Sequence, residues 1–433
     1  MSEKRNIVLI TLDSVRADHC SFMGYHRETT PNIDRMAREG LYFENAIASG
    51  VATAPSLIGL FTGDYTLLDS TWVEPRKSKK WFDEIFSRKT LAEVLSKKGY
   101  STGALHANPW ASSMYGFNKG FEYFQDFLLR KDNKKNFSSR LFSRINILNE
   151  IKAMLKKEST FTNWEMIYPE IIDWVKKTKK PYFLWVLLLD THVPYIPPRK
   201  HRKYSNRSQL YLLYLNWKLR RNVRHFCGKN IRYLFEISPR EKEEIIRAYD
   251  DSIYYADKFI KKIWLDLQYD DPIFIIHADH GDGFGEHGFF YHPPMLYEEL
   301  IHVPLIIYNA DVRGKIEKPV SLLGLAPSIL ELIGEENEFP SESFLHGGRD
   351  WVISQVFEGE KRKVAVRTKD WKFITGQKEE DELYYLKRDP YEQENLIDDY
   401  PDLVREFREI AEKHIKQALE IKRIKDIIFK LRF

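Results

Sequence analysis

Six short apolar runs, at residues 7–12, 41–47, 100–105, 182–189, 272–278 and 303–308, are separated by stretches long enough to form helices. Runs with little polar alternation predict strands buried on both faces, and strands alternating with helices build a mostly parallel central sheet covered by helices on both faces. Sheets of this α/β kind carry their chemistry at the carboxyl ends of the strands. Asp13 follows the first run, and Asp279 and His280 follow the fifth.

Helix signals punctuate the runs. Thr30-Pro31 opens a helix that Gly40 closes. Thr90 with Glu93, and Ser238 with Glu241, have capping-box spacing, the second starting a helix predicted to run to about residue 268. Residues 54–61 read as a helix directly behind Thr53, and 164–178 as another. Beyond residue 345 the texture changes to strand-like pieces at 351–357, 363–367, 371–374 and 383–386, then a charged helix from Pro401. The expected organisation is a catalytic domain over 1–345 and a C-terminal antiparallel α+β subdomain over 346–433, ending in a basic amphipathic helix.

Two stretches break the α/β rhythm. Residues 130–157 are rich in lysine and arginine, and 199–232 hold eleven such residues and no acid, with aromatics around Tyr211, Tyr214 and Trp217. With a net charge of only +4 overall, this basic character is local. It suits an anionic lipid head group or a phosphate-rich substrate, and hence peripheral membrane contact, or else forms a solvated helical cap. No recognised nucleic-acid motif accompanies it, which argues against nucleic acid. Cys20 and Cys227 are far apart and propose neither a disulfide framework nor a thiolate metal site. The start of the chain lacks the pattern of a secretory leader, and no apolar run approaches the roughly 20 residues that span a bilayer, so a cytoplasmic protein is expected.

Asp13, Asp279 and His280 offer two hard oxygens and one imidazole, and Thr53 could add its hydroxyl as a fourth ligand. One divalent metal with an open face is the expectation; a lone aspartate after a strand would otherwise be a helix cap. A donor set with few carboxylates and a histidine points toward manganese or zinc, with magnesium and calcium as alternatives.

Ordered blocks along nearly the whole chain resemble the sulfatase family of the alkaline phosphatase superfamily. Residues 6–13 resemble its opening strand, and Thr30-Pro-Asn-Ile-Asp to Gly40 its T-P-N-L-D block. Thr53-Ala-Pro-Ser-Leu57 with Leu60 and Thr62-Gly63 resembles the C-x-P-S-R-x-x-L-x-T-G signature, Asp190-Thr-His192-Val-Pro-Tyr195 the D-P-H-x-P-Y block, and Ala278-Asp-His-Gly281 the second ligand motif. The departures are as informative as the matches. Thr53 stands where sulfatases carry the cysteine oxidised to formylglycine, Leu57 replaces an arginine, and Ser14 replaces a second aspartate. Threonine cannot become formylglycine, but its alkoxide, held by a metal, is a competent nucleophile toward phosphorus.

The resemblance implies further roles. His292 stands five residues before Tyr297, where sulfatases place a substrate-binding lysine, and His192 matches the D-P-H histidine; either could bind the transferred group or protonate the leaving alkoxide. Asn108, in His106-Ala-Asn108-Pro-Trp110, could donate to a nonbridging oxygen or cap its loop, and His287 could contact substrate or hold a turn. His302 is expected to be structural. The expected substrate is an anionic ester, with lipid- and glycan-linked esters among the candidates, and the leading reaction is phosphodiester or phosphomonoester hydrolysis through Thr53. The alternatives are a sulfatase, a phosphoglycerol- or phosphoethanolamine-type head-group transferase, and a binding protein that has lost catalysis.

Overall fold

The computed structural model describes residues 4–66, 83–127, 163–223, 236–358, 361–376 and 380–431. Its centre is an eight-stranded sheet. In chain order the strands are β1 (Ile7–Leu12), β2 (Leu41–Phe43), β4 (Ser101–His106), β5 (Tyr123–Asp126), β6 (Tyr182–Leu188), β7 (Ile273–Ala278), β11 (Leu305–Tyr308) and β12 (Gly314–Ile316), and the order across the sheet is β12-β2-β11-β7-β1-β6-β4-β5. All pairings are parallel except those of β11 with β7 and β2. Every residue of β1, β6 and β7 is buried, as their apolar runs require.

Helices α1 (Pro31–Glu39), α2 (Thr53–Thr62), α3 (Leu91–Lys97), α4 (Trp164–Lys177), α5 (Gln209–Val223), α6 (Pro239–Leu267), α7 (Glu298–Ile301) and α8 (Leu325–Leu332) accompany the sheets. Both capping boxes form, at Thr90–Glu93 and Ser238–Glu241. The long α6 also ties down loops: Asp257 accepts the backbone N–H groups of Asn32 and Ile33 at the start of α1, and Asp251 those of Lys203, Tyr204 and Ser205.

The apolar runs at 41–47 and 303–308 each form two strands instead of one. β2 ends at Phe43, and β3 (Ala46–Ile47) leaves the main sheet to join β10 (His302–Val303) and β13 (Val320–Ser321). Pro304, which has no N–H for a ladder, separates β10 from β11. A hairpin of β8 (Gly283–Phe284) and β9 (Phe290–Tyr291) follows β7.

Beyond residue 350, β14 (Trp351–Glu358), β15 (Lys361–Thr368), β16 (Trp371–Gly376) and β17 (Glu382–Tyr385) form an antiparallel sheet. Helix α9 (Pro401–Leu431) covers one face of it through Val404, Phe407 and Ala411. The other face packs through Val352, Val356 and Ala365 on Ile47, Val51 and Leu300. This second face bears on the loop that leads to Thr53. Ser354 Oγ donates to Ala48 O (2.5 Å) and the Gln355 N–H to Ser49 O (3.1 Å).

The basic stretch 130–157, Cys227 and the end of the second basic stretch lie outside the described residues. Where 199–223 is described, four of its basic side chains meet acids. Lys200 pairs with Glu165, Lys203 with Glu28, Arg207 with Glu244 and Lys218 with Glu241, while Leu212, Leu215 and Leu219 are buried. Acids from other segments thus meet lysines and an arginine that have none nearby in sequence. Among the described residues no helix is long and apolar enough to cross a membrane.

Candidate functional site

Strand register assembles the site. Leu12 of β1 lies level with Leu188 of β6 and Ala278 of β7, so Asp13, the loop to His192 and the Asp279-His280 pair leave the sheet side by side. His106, the last residue of β4, lies level with Leu187, which brings Asn108 to the same edge two residues later. Thr53 arrives from the other direction as the first residue of α2, whose N-terminus carries partial positive charge.

Two glycines permit the close approaches. A Cβ on Gly281 would lie 2.1 Å from Glu299 O, and one on Gly59 would lie 2.6 Å from Ser49 Oγ. The first lets the Asp-His-Gly turn pass α7, and the second seats α2 against its own leading loop. Leu57 is fully buried in the core, so at this position the helix contributes packing instead of a charge.

The structure brings together Asp13, Thr53, Asn108, Asp279 and His280, all buried. The ligand-type atoms of Asp13, Asp279 and His280 lie within 4.8 Å of one another. His280 Nε2 is 3.6 Å from Asp279 Oδ2, 3.9 Å from Asp13 Oδ1 and 3.5 Å from Thr53 Oγ1. Its Nδ1 meets Gly281 O at 2.9 Å, which leaves Nε2 for the cluster. Ser14 orders both carboxylates: its N–H donates to Asp279 Oδ1 (3.1 Å) and its hydroxyl to Asp13 Oδ1 (3.0 Å). The residue in place of a second aspartate thus serves as an orienting donor, with φ +60°.

These groups suit a divalent cation. Asp279 Oδ2 is buried with no hydrogen-bond partner, although Oδ1 accepts from both Ser14 and His280 N–H groups. Burial, and then the neighbouring Asp279 charge, push the Asp13 carboxyl up to about 7. Burial pushes His280 down, but Asp279 and Asp13 more than reverse this and hold it above its ordinary value. Two buried carboxylates sharing one imidazole lack countercharge, which a cation on the unpartnered oxygen would supply.

Asn108 has a fixed amide. Its Oδ1 accepts the Trp110 N–H at 2.7 Å, capping the loop, so Nδ2 must face the site, where it donates to Asp13 Oδ2 and lies 3.4 Å from Thr53 Oγ1. The loop cap and the site donor are therefore one side chain.

His292 lies beside the cluster, its ring centroid 4.4 Å from that of His280, and His192 lies 5.5 Å further out. Burial and then His280 lower the pKa of His292, against the pull of Asp282. Asp282 escapes sequence reasoning although it is two residues beyond His280. It is fully buried between Tyr195 and His292. Burial alone would raise its carboxyl, but His292, His192 and His280 pull it below its ordinary value.

His287 is not placed to contact substrate. Its Nδ1 meets Glu299 Oε1 at 2.7 Å, its Nε2 meets Glu392 O at 3.0 Å, and its ring stacks on Tyr297 at 3.6 Å. Both nitrogens are engaged by the protein, so the histidine holds the turn. His302 meets Glu44 O through Nε2 at 2.9 Å. Cys20 is a buried free thiol.

A mostly parallel sheet with a carboxylate–imidazole cluster beside a hydroxyl at its strand ends suits the hydrolysis of esters. The sulfatase family profile matches residues 5–335, and the chain belongs to that family. An arylsulfatase of Clostridium perfringens is 26% identical across 95% of each chain, and arylsulfatase K of Gallus gallus is 23% identical across 94% of this chain and 82% of its own. Solved structures share the fold. A protein in complex with its substrate D-glucosamine-2-N,6-O-disulfate superposes with a TM-score of 0.71 at 18% identity, covering 96% of this chain and 99% of its own. The phosphonate monoester hydrolase of Agrobacterium radiobacter superposes with a TM-score of 0.70 at 18% identity, covering 96% of each.

Proposed function

We propose that this sulfatase-family hydrolase cleaves phosphoesters, with Thr53 as the nucleophile and phosphodiesters preferred over phosphomonoesters. The observation that carries the reading is the place of Thr53 Oγ1, at the start of α2 and 3.5 Å from His280 Nε2, in a chain whose signature position holds threonine instead of cysteine.

Asp13, Asp279 and His280 would hold the divalent cation, with Thr53 beside them; manganese or zinc is our preferred ion. When bound, the cation supplies Lewis-acid polarisation of the ester and favours ionisation of a neighbouring hydroxyl. Thr53 gives its hydroxyl proton to an imidazole, His292 or His192, as Oγ attacks phosphorus in line; the bond to the leaving alkoxide breaks, and the remaining substituted phosphoryl group rests on Thr53 as a diester. The imidazolium then passes that proton to the departing oxygen. Asn108 Nδ2 and the N-terminal end of α2 stabilise charge on the transferred group. Water then attacks phosphorus, a proton from it returns to Thr53 Oγ through the imidazole, and a phosphate monoester leaves.

Charge supports the diester preference. Among the described residues the cluster holds no basic side chain apart from histidine, and the neighbouring Arg16 is paired with Asp18 and Glu286, both at 2.7 Å. One divalent cation balances Asp13 and Asp279, leaving no excess positive charge for a dianion. A sulfate ester also carries one negative charge, and the arylsulfatase relatives support a sulfatase as the second reading.

The test is parallel turnover of a phosphodiester, a phosphomonoester and a sulfate ester chromogen by metal-loaded enzyme, repeated with Thr53→Ala. The expected result is diester cleavage that falls by about 10⁴-fold in the variant without loss of fold. Sulfate release exceeding phosphate release, and lost in Thr53→Ala, would replace this reading with the sulfatase one.

A further inference from the structure

We infer that Asp282 is a positioning residue, clamped by Tyr195, that fixes the His292 imidazole so that Nε2 is the nitrogen left for chemistry. The inference rests on the catalytic role given to His292 above.

His280, Asp282 and His292 lie close enough to suggest a second metal centre beside the first. The hydrogen bonds of Asp282 argue otherwise. Its Oδ2 accepts the Tyr195 hydroxyl at 2.5 Å and its Oδ1 faces His292 Nδ1 at 2.6 Å. Both oxygens of a fully buried carboxylate are therefore engaged in short, charge-assisted bonds, which a metal would have to displace. With one oxygen held by Tyr195 and the other against Nδ1, the carboxylate takes up Nδ1 of His292 and leaves Nε2 as the ring nitrogen for the site.

The neighbouring imidazoles are pinned in the same sense. His280 Nδ1 lies 2.9 Å from Gly281 O and His192 Nδ1 lies 2.7 Å from Val193 O. Three rings in a row thus turn Nδ1 toward the protein. Of the three, His292 is the one whose Nδ1 meets a carboxylate, and a buried carboxylate both orients an imidazole and stabilises the imidazolium formed when Nε2 takes a proton. Tyr195 fixes the carboxylate in turn: its own ring is buried and packs at 5.2 Å from Tyr249. The chain Tyr195–Asp282–His292 links the loop after β6 to the loop after β7, the two loops that bound the site.

A lysine, which the resemblance places at position 292, has a rotationally symmetric ammonium and needs no tautomer. A histidine there does, and this separates a positioning role for Asp282 from a merely structural one. The experiment uses full-length, metal-loaded enzyme and bis(4-nitrophenyl) phosphate. Asp282→Ala should lower kcat by about 10- to 100-fold with KM changed less than about twofold, and Tyr195→Phe should lower kcat a few-fold. Metal content should stay at one ion per chain in both. In a His292→Lys background, adding Asp282→Ala should cost less than about twofold. Asp282→Asn, which fits the same space, replaces the alanine variant should that one not fold.

Equal losses in the two backgrounds would overturn the inference, as would a second bound ion per chain that the Asp282 variants lose. A readout without turnover keeps the inference separate from the catalytic reading: ¹⁵N shifts of labelled histidine should report a His292 ring protonated at Nδ1, and a changed tautomer balance in the Asp282 variants. Inactivity of the native enzyme on every ester would remove the catalytic reading, and the ¹⁵N spectrum would still decide whether Asp282 sets the tautomer. A His292 ring protonated at Nε2 in the native protein would reject it.

Discussion

Two of the buried charge clusters among the described residues are built on opposite principles. At the strand ends, Asp13 and Asp279 face one imidazole, and Asp279 Oδ2 has no hydrogen-bond partner. Beneath the C-terminal sheet, Glu298 meets Arg367 at 3.1 Å and Lys372 at 3.2 Å, and Lys372 meets Glu392 at 2.6 Å. Two acids answer two bases there, and Lys372 is fully buried. A balanced cluster is complete within the chain and holds segments together; an unbalanced one needs something from outside. The imbalance, more than the presence of charge, marks the functional centre.

Removing one partner from the balanced cluster should have the largest effect on stability. Lys372→Met leaves Glu298 and Glu392 without their shared cation and is expected to cost about 3–5 kcal/mol in denaturant unfolding. Divalent-metal affinity of the folded fraction should be unchanged; a large drop would mean that the two clusters are energetically one. The same operation on the unbalanced cluster should have the opposite sign. Asp279→Asn removes a like charge beside Asp13, so the metal-free protein should melt higher than wild type, while metal affinity by calorimetry falls by at least about 100-fold.

The clusters should also separate by pH. The folded Asp13 carboxyl, pushed up to about 7, holds a proton that an unfolded aspartate, with a pKa near 3.9, has already lost. Between those values the folded, metal-free state binds more protons, so stability falls as pH rises. Melting with chelator present should therefore drop from pH 5 to pH 8. Glu392, raised by burial in the same way, adds a slope common to the metal-free and metal-loaded forms, so the difference between them isolates Asp13 and His280, whose raised imidazole loses stability in the same direction as pH rises. A slope unchanged by metal would place the effect elsewhere. The smallest effect is expected at the edge of the balanced cluster: His287→Gln should cost about 1 kcal/mol and change turnover less than twofold, since that ring serves Glu299 and Glu392.

The unbalanced cluster was the legible one. Asp13, Asp279 and His280 each follow an apolar run directly, and strand register carries that local order straight into space. Thr53 was legible through the signature around it. Asp282 was missed because its role depends on Tyr195 and His292, 87 and 10 residues away, and nothing in its own neighbourhood announces either bond. The balanced cluster was illegible for the same reason: Lys372 and Glu298 are 74 residues apart and meet where the C-terminal sheet faces α7. The broken strands at 41–47 and 303–308 show the limit from another side, since apolar composition specifies burial but not which sheet a residue joins.

The contact between the C-terminal sheet and the loop before Thr53 carries a consequence for synthesis. Ala48 and Ser354 are 306 residues apart, and the backbone pairing of Ser49 with Gln355 is equally distant. A chain emerging from the ribosome presents Thr53 early, yet the strand that braces its loop is made about 300 residues later. The setting of that loop is thereby tied to synthesis of the C-terminal sheet, so that a product terminated before residue 354 would contain Asp13, Thr53, Asp279 and His280 without these contacts.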